Sequence, residues 1–139
     1  MDVRSVMTPN PACCAPDTTL QEAARLMQEH DCGQIPVVGD GQLVGVITDR
    51  DIAVRAVAQG RDVSARVGDY MTAPVTTVKP DCTLEDCCNL MESNKIRRVV
   101  VVDDQGGVAG IVAQADVARS GRDAKTAEVV KEVSEPGRH

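Results

Sequence analysis

Gly45-Val46-Ile47-Thr48-Asp49-Arg50-Asp51-Ile52 has a counterpart later in the chain, Gly110-Ile111-Val112-Ala113-Gln114-Ala115-Asp116-Val117. In each stretch a glycine opens a short apolar run, and an aspartate recurs at the same place, Asp51 and Asp116. The correspondence extends backwards. Met7-Thr8-Pro9 falls on Met71-Thr72-Ala73, Pro16-Asp17 on Pro80-Asp81, Leu20 on Leu84 and Met27 on Met91, with one inserted residue before the final block. Two copies of this length make one pseudo-symmetric unit rather than a solenoid array. Two related halves facing each other leave clefts between them.

Each copy reads as short strand, helix, strand, strand, helix, so the expected class is α/β (α+β) with two β-α-β-β-α repeats. Asp17-Thr18-Thr19-Leu20 supplies capping residues for a first helix, with Glu22 in its first turn. Leu20, Ala23, Ala24 and Met27 recur at helical spacing and predict its core face. Ile35-Pro36-Val37-Val38 predicts a buried strand, Gly39-Asp40-Gly41 a turn, and Leu43 to Ile47 the returning strand. Thr48 or Asp49 then caps a helix running to about Ala58. In the second copy a helix runs from Leu84 to about Asn94, Arg98 to Val102 and Val108 to Val112 are strands, and a helix begins near Ala113. The first repeat with its polar connector occupies 1–63 and the second 64–122. The tail, 123–139, carries a modestly amphipathic segment at 124–133 that predicts a final helix.

Composition narrows the function classes. The chain has 139 residues, long enough for a real core. That core is aliphatic, because Phe and Trp are absent and Tyr70 is the sole aromatic residue. A formal charge of -6 and a sequence pI near 4.8 disfavour nucleic acid and anionic membrane as partners, which need a basic surface. No apolar stretch approaches the roughly 20 residues that span a bilayer. The first residues lack the apolar core of a signal peptide, so a cytoplasmic protein is expected.

Six cysteines raise disulfide, metal and redox readings: Cys13, Cys14, Cys32, Cys82, Cys87 and Cys88. None forms a C-x-x-C pair, and neither adjacent pair has a histidine at ligand spacing, so no metal site is expected. Cys87 and Cys88 stand where the first copy has Ala23 and Ala24, which suits small apolar side chains on a helix. Free thiols are the main expectation, with a redox response as the alternative.

The Gly45–Asp51 stretch has chemistry of its own. A strand ends at Ile47 and a helix starts just after it. Backbone N–H groups at a helix N-terminus attract phosphate, and the Thr48 hydroxyl adds a donor. Asp51 lies one turn on, where a carboxylate accepts the hydroxyls of a ribose, as acidic residues do in other nucleotide folds. Arg50 lies between them, within reach of a phosphate. The plainer reading is that Thr48 and Asp49 merely cap a helix and Asp51 is solvated.

The M-T start of each copy, Ile35-Pro36-Val37-Val38 and the Gly45-to-Asp51 motif, repeated in the same order, resemble a tandem pair of cystathionine β-synthase (CBS) domains, or Bateman module. The resemblance covers roughly residues 2–120. The chain is similar to the small stand-alone kind, such as bacterial hypoxic response protein-like and signal-transduction proteins. This resemblance implies an adenosyl ligand held by one copy's Thr-x-x-Asp and completed by the other copy. AMP leads the candidates, with ADP, ATP, NAD and S-adenosylmethionine behind it, and no cofactor is obligatory. For the Thr48/Asp51 site the completing elements are about Val75, Thr76, Thr77 and Val78 with Ile96, Arg97, Arg98 and Val99. Arg98 falls where such proteins place a phosphate-binding Arg or His, and Arg97 neighbours it. The complementary site, with Asp116, Ala113, Gln34 and Ile35, is expected to be weaker. Ala113 lacks the Thr48 hydroxyl and Gln34 lacks the Arg98 charge, and charge-assisted contacts are roughly twice as strong as neutral ones.

Independent catalysis is not expected. His30 faces no evident nucleophile and His139 is terminal, so no Ser/Cys-His-acid arrangement emerges. The resemblance also implies association through helices into a C2 homodimer and an effector protein of unknown identity. The competing function is a dimerisation or interaction scaffold without a nucleotide, responsive to thiol oxidation.

Overall fold

The computed structural model describes residues 1–120. The helix expected at 124–133 lies outside the described residues. Within them the order is strand β1 (Thr8–Pro9), helix α1 (Leu20–His30), strands β2 (Gln34–Gly39) and β3 (Gln42–Thr48), a π-type helix (Asp51–Val57), β4 (Thr77–Val78), α2 (Leu84–Asn94), β5 (Arg98–Val102) and β6 (Val108–Ala113). A further helix starts at Gln114.

The two main helices begin and end alike because the same residue types sit at their ends. Thr19 and Thr83 are the N-caps, each hydroxyl accepting the N–H three residues on, Glu22 and Asp86, at 3.1 Å. Asp31 and Lys95 close them in the left-handed conformation, at φ 49° and 54°. Leu20, Ala23 and Met27 are buried as the spacing predicts. Ala24 is not. It lies on the exposed side of α1, because one residue past Ala23 turns the side chain about 100° away on a 3.6-residue helix. Its counterpart Cys88 is likewise less buried than Cys87, which is fully enclosed.

β2 and β3 form an antiparallel hairpin closed by a two-residue Asp40-Gly41 turn with φ of 53° and 78°. Both φ values are positive, the pattern that matches the twist of the flanking strands. The second half is a four-stranded sheet in the order β1-β6-β5-β4. β4 is short, with only Thr77 and Val78 pairing with β5. In the first half the equivalent outer positions are single bridges, Cys14 to Val37 and Thr72 to Val46. The helix after β3 is wider than an α-helix, with the Ala58 N–H donating to the Ala53 carbonyl at 2.9 Å.

Each repeat lends its leading segment to the other. β1 pairs with β6, at Thr8 with Ile111 and Pro9 with Gly110, and Thr72 pairs with Val46 of β3. Val3 accordingly joins the core of the second half, with Val78, Cys87 and Met91, while Val67 joins that of the first, with Leu20 and Ile35. Glycine is required where these segments cross. A Cβ on Gly45 would sit 2.6 Å from the Met71 sulfur, and one on Gly110 2.6 Å from the Met7 sulfur.

β5 is buried on both faces, which is why it reads as an unbroken valine run. Val99 and Val101 pack under α2, while Val100 and Val102 meet Val46 in a third apolar cluster between the halves. Two of its members, Val46 and the partly buried Val75, also line a cleft between the halves.

Candidate functional site

The Thr48 cleft, about 300 Å³, draws on both repeats. Thr48 stands at the end of β3; Val75 and Thr76 precede β4; Ile96, Arg97 and Arg98 lead into β5. Six of the eight residues expected at this site therefore line one cavity. Arg50 and Asp51 do not. Arg50 is exposed on the helix beyond.

Asp51 is 7% exposed and sits behind the wall. The Thr48 N–H donates to its carboxylate at 3.1 Å, and its own N–H donates to the Thr48 hydroxyl oxygen at 3.0 Å. This reciprocal pair is a capping box, so Thr48 caps the helix and Asp51, far from being solvated, completes the cap. The Thr72 hydroxyl donates to both Asp51 oxygens, at 3.1 and 3.2 Å, and the Arg55 guanidinium lies 3.8 Å away. A hydroxyl has one proton and two acceptor positions. Thr48 uses its oxygen as an acceptor and keeps its proton for the cleft, whereas Thr72 spends its proton on Asp51 and keeps acceptor capacity. One donor and one acceptor thus face the cavity, from the end of β3 and from the segment bridged to it. The Thr-x-x-Asp motif does not point to Thr72; its place in the repeated M-T start is the signal the sequence offers for it.

The second cleft is larger, about 390 Å³, and is the pseudo-symmetric counterpart. Asp116, Ala113 and Gln34 line it as expected. Ile35 does not: it is 1% exposed and points into the helix-facing core with Leu20 and Met27, because its neighbours alternate sides along β2. Without a threonine at 113 there is no capping box, and Asp116 instead holds Arg119 at 2.6 Å. Thr8, Asn10, Pro11, His30 and Asp31 also face this cavity, none of them expected there from the sequence. The expected lack of positive charge is not what the structure gives. Arg98 lines this cleft as well as the other, and so does Gln34. Both residues begin their strands near the pseudo-twofold axis, where Arg98 is opposite Ala113 and Gln34 opposite Thr48.

The cysteines stand apart from these clefts, except that Cys32 touches the second. Burial pushes the Cys14 thiol up to about 11, helped by neighbouring Cys13, and pushes Cys87 up to about 11, helped by Cys82 and Cys88. Burial also raises Cys13, Cys82 and Cys88. Raised values keep thiols protonated and slow to react. Among the described residues no three His, Cys, Asp or Glu side chains cluster as metal ligands, and no helix is long and apolar enough to cross a membrane.

A model of the CBS domain family matches this chain twice, over residues 3–57 and 67–123. The CBS domain-containing protein YhcV of Bacillus subtilis is 46% identical over 116 residues, covering 84% of this chain and 82% of that protein. The crystal structure of Arabidopsis thaliana CBSX2 in complex with AMP is 30% identical, with a TM-score of 0.77, covering 89% of this chain and 98% of that one. The CBS domain pair of protein MJ0100, in complex with 5′-methylthioadenosine and S-adenosyl-L-methionine, is 30% identical with a TM-score of 0.79 over the same shares. With two matched copies, a shared fold and small relatives of similar length, this chain belongs to the CBS domain family and carries the domain as a tandem pair.

Proposed function

We propose that this protein is an adenine-nucleotide-binding regulatory module that takes an AMP-like ligand between its repeats. One observation carries this reading: Thr48 from the first repeat and Ile96, Arg97 and Arg98 from the second converge on one cavity. A ligand there touches both halves and so has different affinity for different arrangements of them, which is what a regulatory ligand requires. Ile96, Val75 and Val46 offer aliphatic surfaces for a base, Thr48 a hydroxyl donor, and Arg97 and Arg98 charge for a phosphate. CBS pairs of the same fold hold AMP, and S-adenosylmethionine with methylthioadenosine.

In this reading the protein is not itself an enzyme. It acts in the cytoplasm as a C2 homodimer that signals to an effector protein. Val54 and Val57, 47% and 63% exposed on the π-type helix, provide apolar surface for the dimer contact.

The test is a calorimetric titration of nucleotide-stripped protein with AMP, beside Arg98→Ala. Arg98→Ala is chosen over Asp51→Ala because Asp51 closes a helix cap. Losing a charge-assisted contact weakens binding about 10- to 150-fold. Wild-type affinity in Arg98→Ala, or no binding of either AMP or S-adenosylmethionine by the wild type, overturns the reading.

A further inference from the structure

The two clefts share one arginine. Arg98 lines the Thr48 cleft and the Asp116 cleft, and among the described residues its guanidinium has no salt-bridge or hydrogen-bond partner holding it to either side. Among the described residues the wall of the Asp116 cleft has no other arginine or lysine, and it holds two carboxylates, Asp31 and Asp116, the latter paired with Arg119. Gln34, the pseudo-symmetric mate of Arg98, also lines both clefts, but it carries no charge. We infer that Arg98 couples the clefts negatively for phosphorylated ligands, so that either cleft accepts one but the two do not fill together.

The coupling follows from charge. A phosphate monoester carries about −1.5 to −2 at neutral pH and draws the guanidinium into its own cleft. The opposite cleft is then left with a glutamine amide at that position, and a second phosphate placed there meets the repulsion of the first across the Gln34 and Arg98 side chains that line both clefts. Because coupling between binding sites is reciprocal, it does not matter which cleft fills first. Arg97 belongs to the Thr48 cleft alone, so filling that cleft leaves the Asp116 cleft the more depleted of charge. This inference rests on the nucleotide reading above and adds a stoichiometry to it.

Gln34→Arg tests it directly, because it gives each cleft its own guanidinium at a symmetric position. Thr76→Trp and Pro11→Trp each fill one cleft, Thr76 facing only the Thr48 side and Pro11 only the Asp116 side. The full chain and each variant are titrated with AMP by calorimetry after a thermal melt confirms folding. Wild type is expected to bind about one AMP per chain, with any second event about 5- to 150-fold weaker, the usual range of site coupling. Gln34→Arg is expected to bind about two with similar affinity, as removal of the coupling requires. Each tryptophan variant is expected to retain about one, and the double variant none. Two equal events in wild type, an unchanged stoichiometry in Gln34→Arg, or complete loss in one tryptophan variant overturns the inference while leaving nucleotide binding intact. Absence of AMP and S-adenosylmethionine binding in wild type overturns both. Where a tryptophan variant does not fold, wild type and Gln34→Arg decide between these outcomes.

Discussion

The Thr72 hydroxyl donates to both carboxylate oxygens of Asp51, at 3.1 and 3.2 Å, across 21 residues of chain. It ties the leading segment of the second repeat to the helix cap of the first, directly beneath the Thr48 cleft. Thr72→Val keeps the shape and leaves a largely buried carboxylate short of a donor. We expect a loss of about 1–3 kcal/mol in urea unfolding, the cost of an unsatisfied buried polar group. A loss below about 0.5 kcal/mol, within the range of ordinary surface substitutions, shows that the bond contributes little.

Gly45 and Gly110 mark the crossings of the two leading segments. An added Cβ meets a flexible methionine sulfur at 2.6 Å in both cases, and also a carbonyl oxygen, that of Thr72 at 3.0 Å or Thr8 at 2.8 Å. A methionine can swing aside but a paired backbone cannot. Gly45→Ala and Gly110→Ala are therefore each expected to cost about 1–3 kcal/mol by overpacking, read as a lowered melting temperature. Shortening Met71 or Met7 to alanine in the same chain should restore little of it, and full restoration places the clash on sulfur alone.

The helix ends offer paired tests of opposite sign. Thr83→Ala removes the hydroxyl that accepts the Asp86 N–H, and is expected to destabilise by about 0.5–2 kcal/mol. Lys95→Gly relieves a left-handed residue at φ 54° and is expected to stabilise by a fraction of the roughly 1–2 kcal/mol that such a conformation costs. Denaturant midpoints report both, and a destabilising Lys95→Gly assigns the lysine side chain a role of its own.

The thiols give a pH dependence with a definite sign. Cys14 and Cys87 are held protonated up to about 11, against an ordinary 9.0. The unfolded chain therefore releases these protons first as pH rises. Their contribution to stability is complete below pH 9 and is lost as pH climbs towards 11. Iodoacetamide labelling near neutral pH should leave both residues mostly unmodified in the folded protein, read by peptide mass spectrometry. Rapid labelling of Cys87 at neutral pH, where it is fully enclosed, points to local opening of α2.

Much of this was legible in the residues themselves. The periodicity of Leu20, Ala23 and Met27, the caps at Thr19 and Thr83, the Asp40-Gly41 turn and the valine run of β5 are local signals, set by hydrogen bonding and side-chain alternation within a few residues. They placed the strands and helices, and the resemblance to tandem CBS pairs pointed to six residues that line one cleft. Ala24 was misplaced because apolar character does not say which of two adjacent positions on a helix faces inward; Ile35 is buried in its strand as read, but the alternation of that strand turns it to the core and away from the second cleft.

Sequence alone thus determined that the chain has two equivalent halves, with their elements, the Thr-x-x-Asp motif and the loss of the hydroxyl at Ala113. Only the tertiary structure decided that the leading segments cross over, that Asp51 is enclosed by Thr48 and Thr72, and that Arg98 belongs to both clefts. The reason is physical. Burial and shared contacts depend on how the halves meet about their pseudo-twofold axis, where residues far apart in the chain compete for the same space and the same charge.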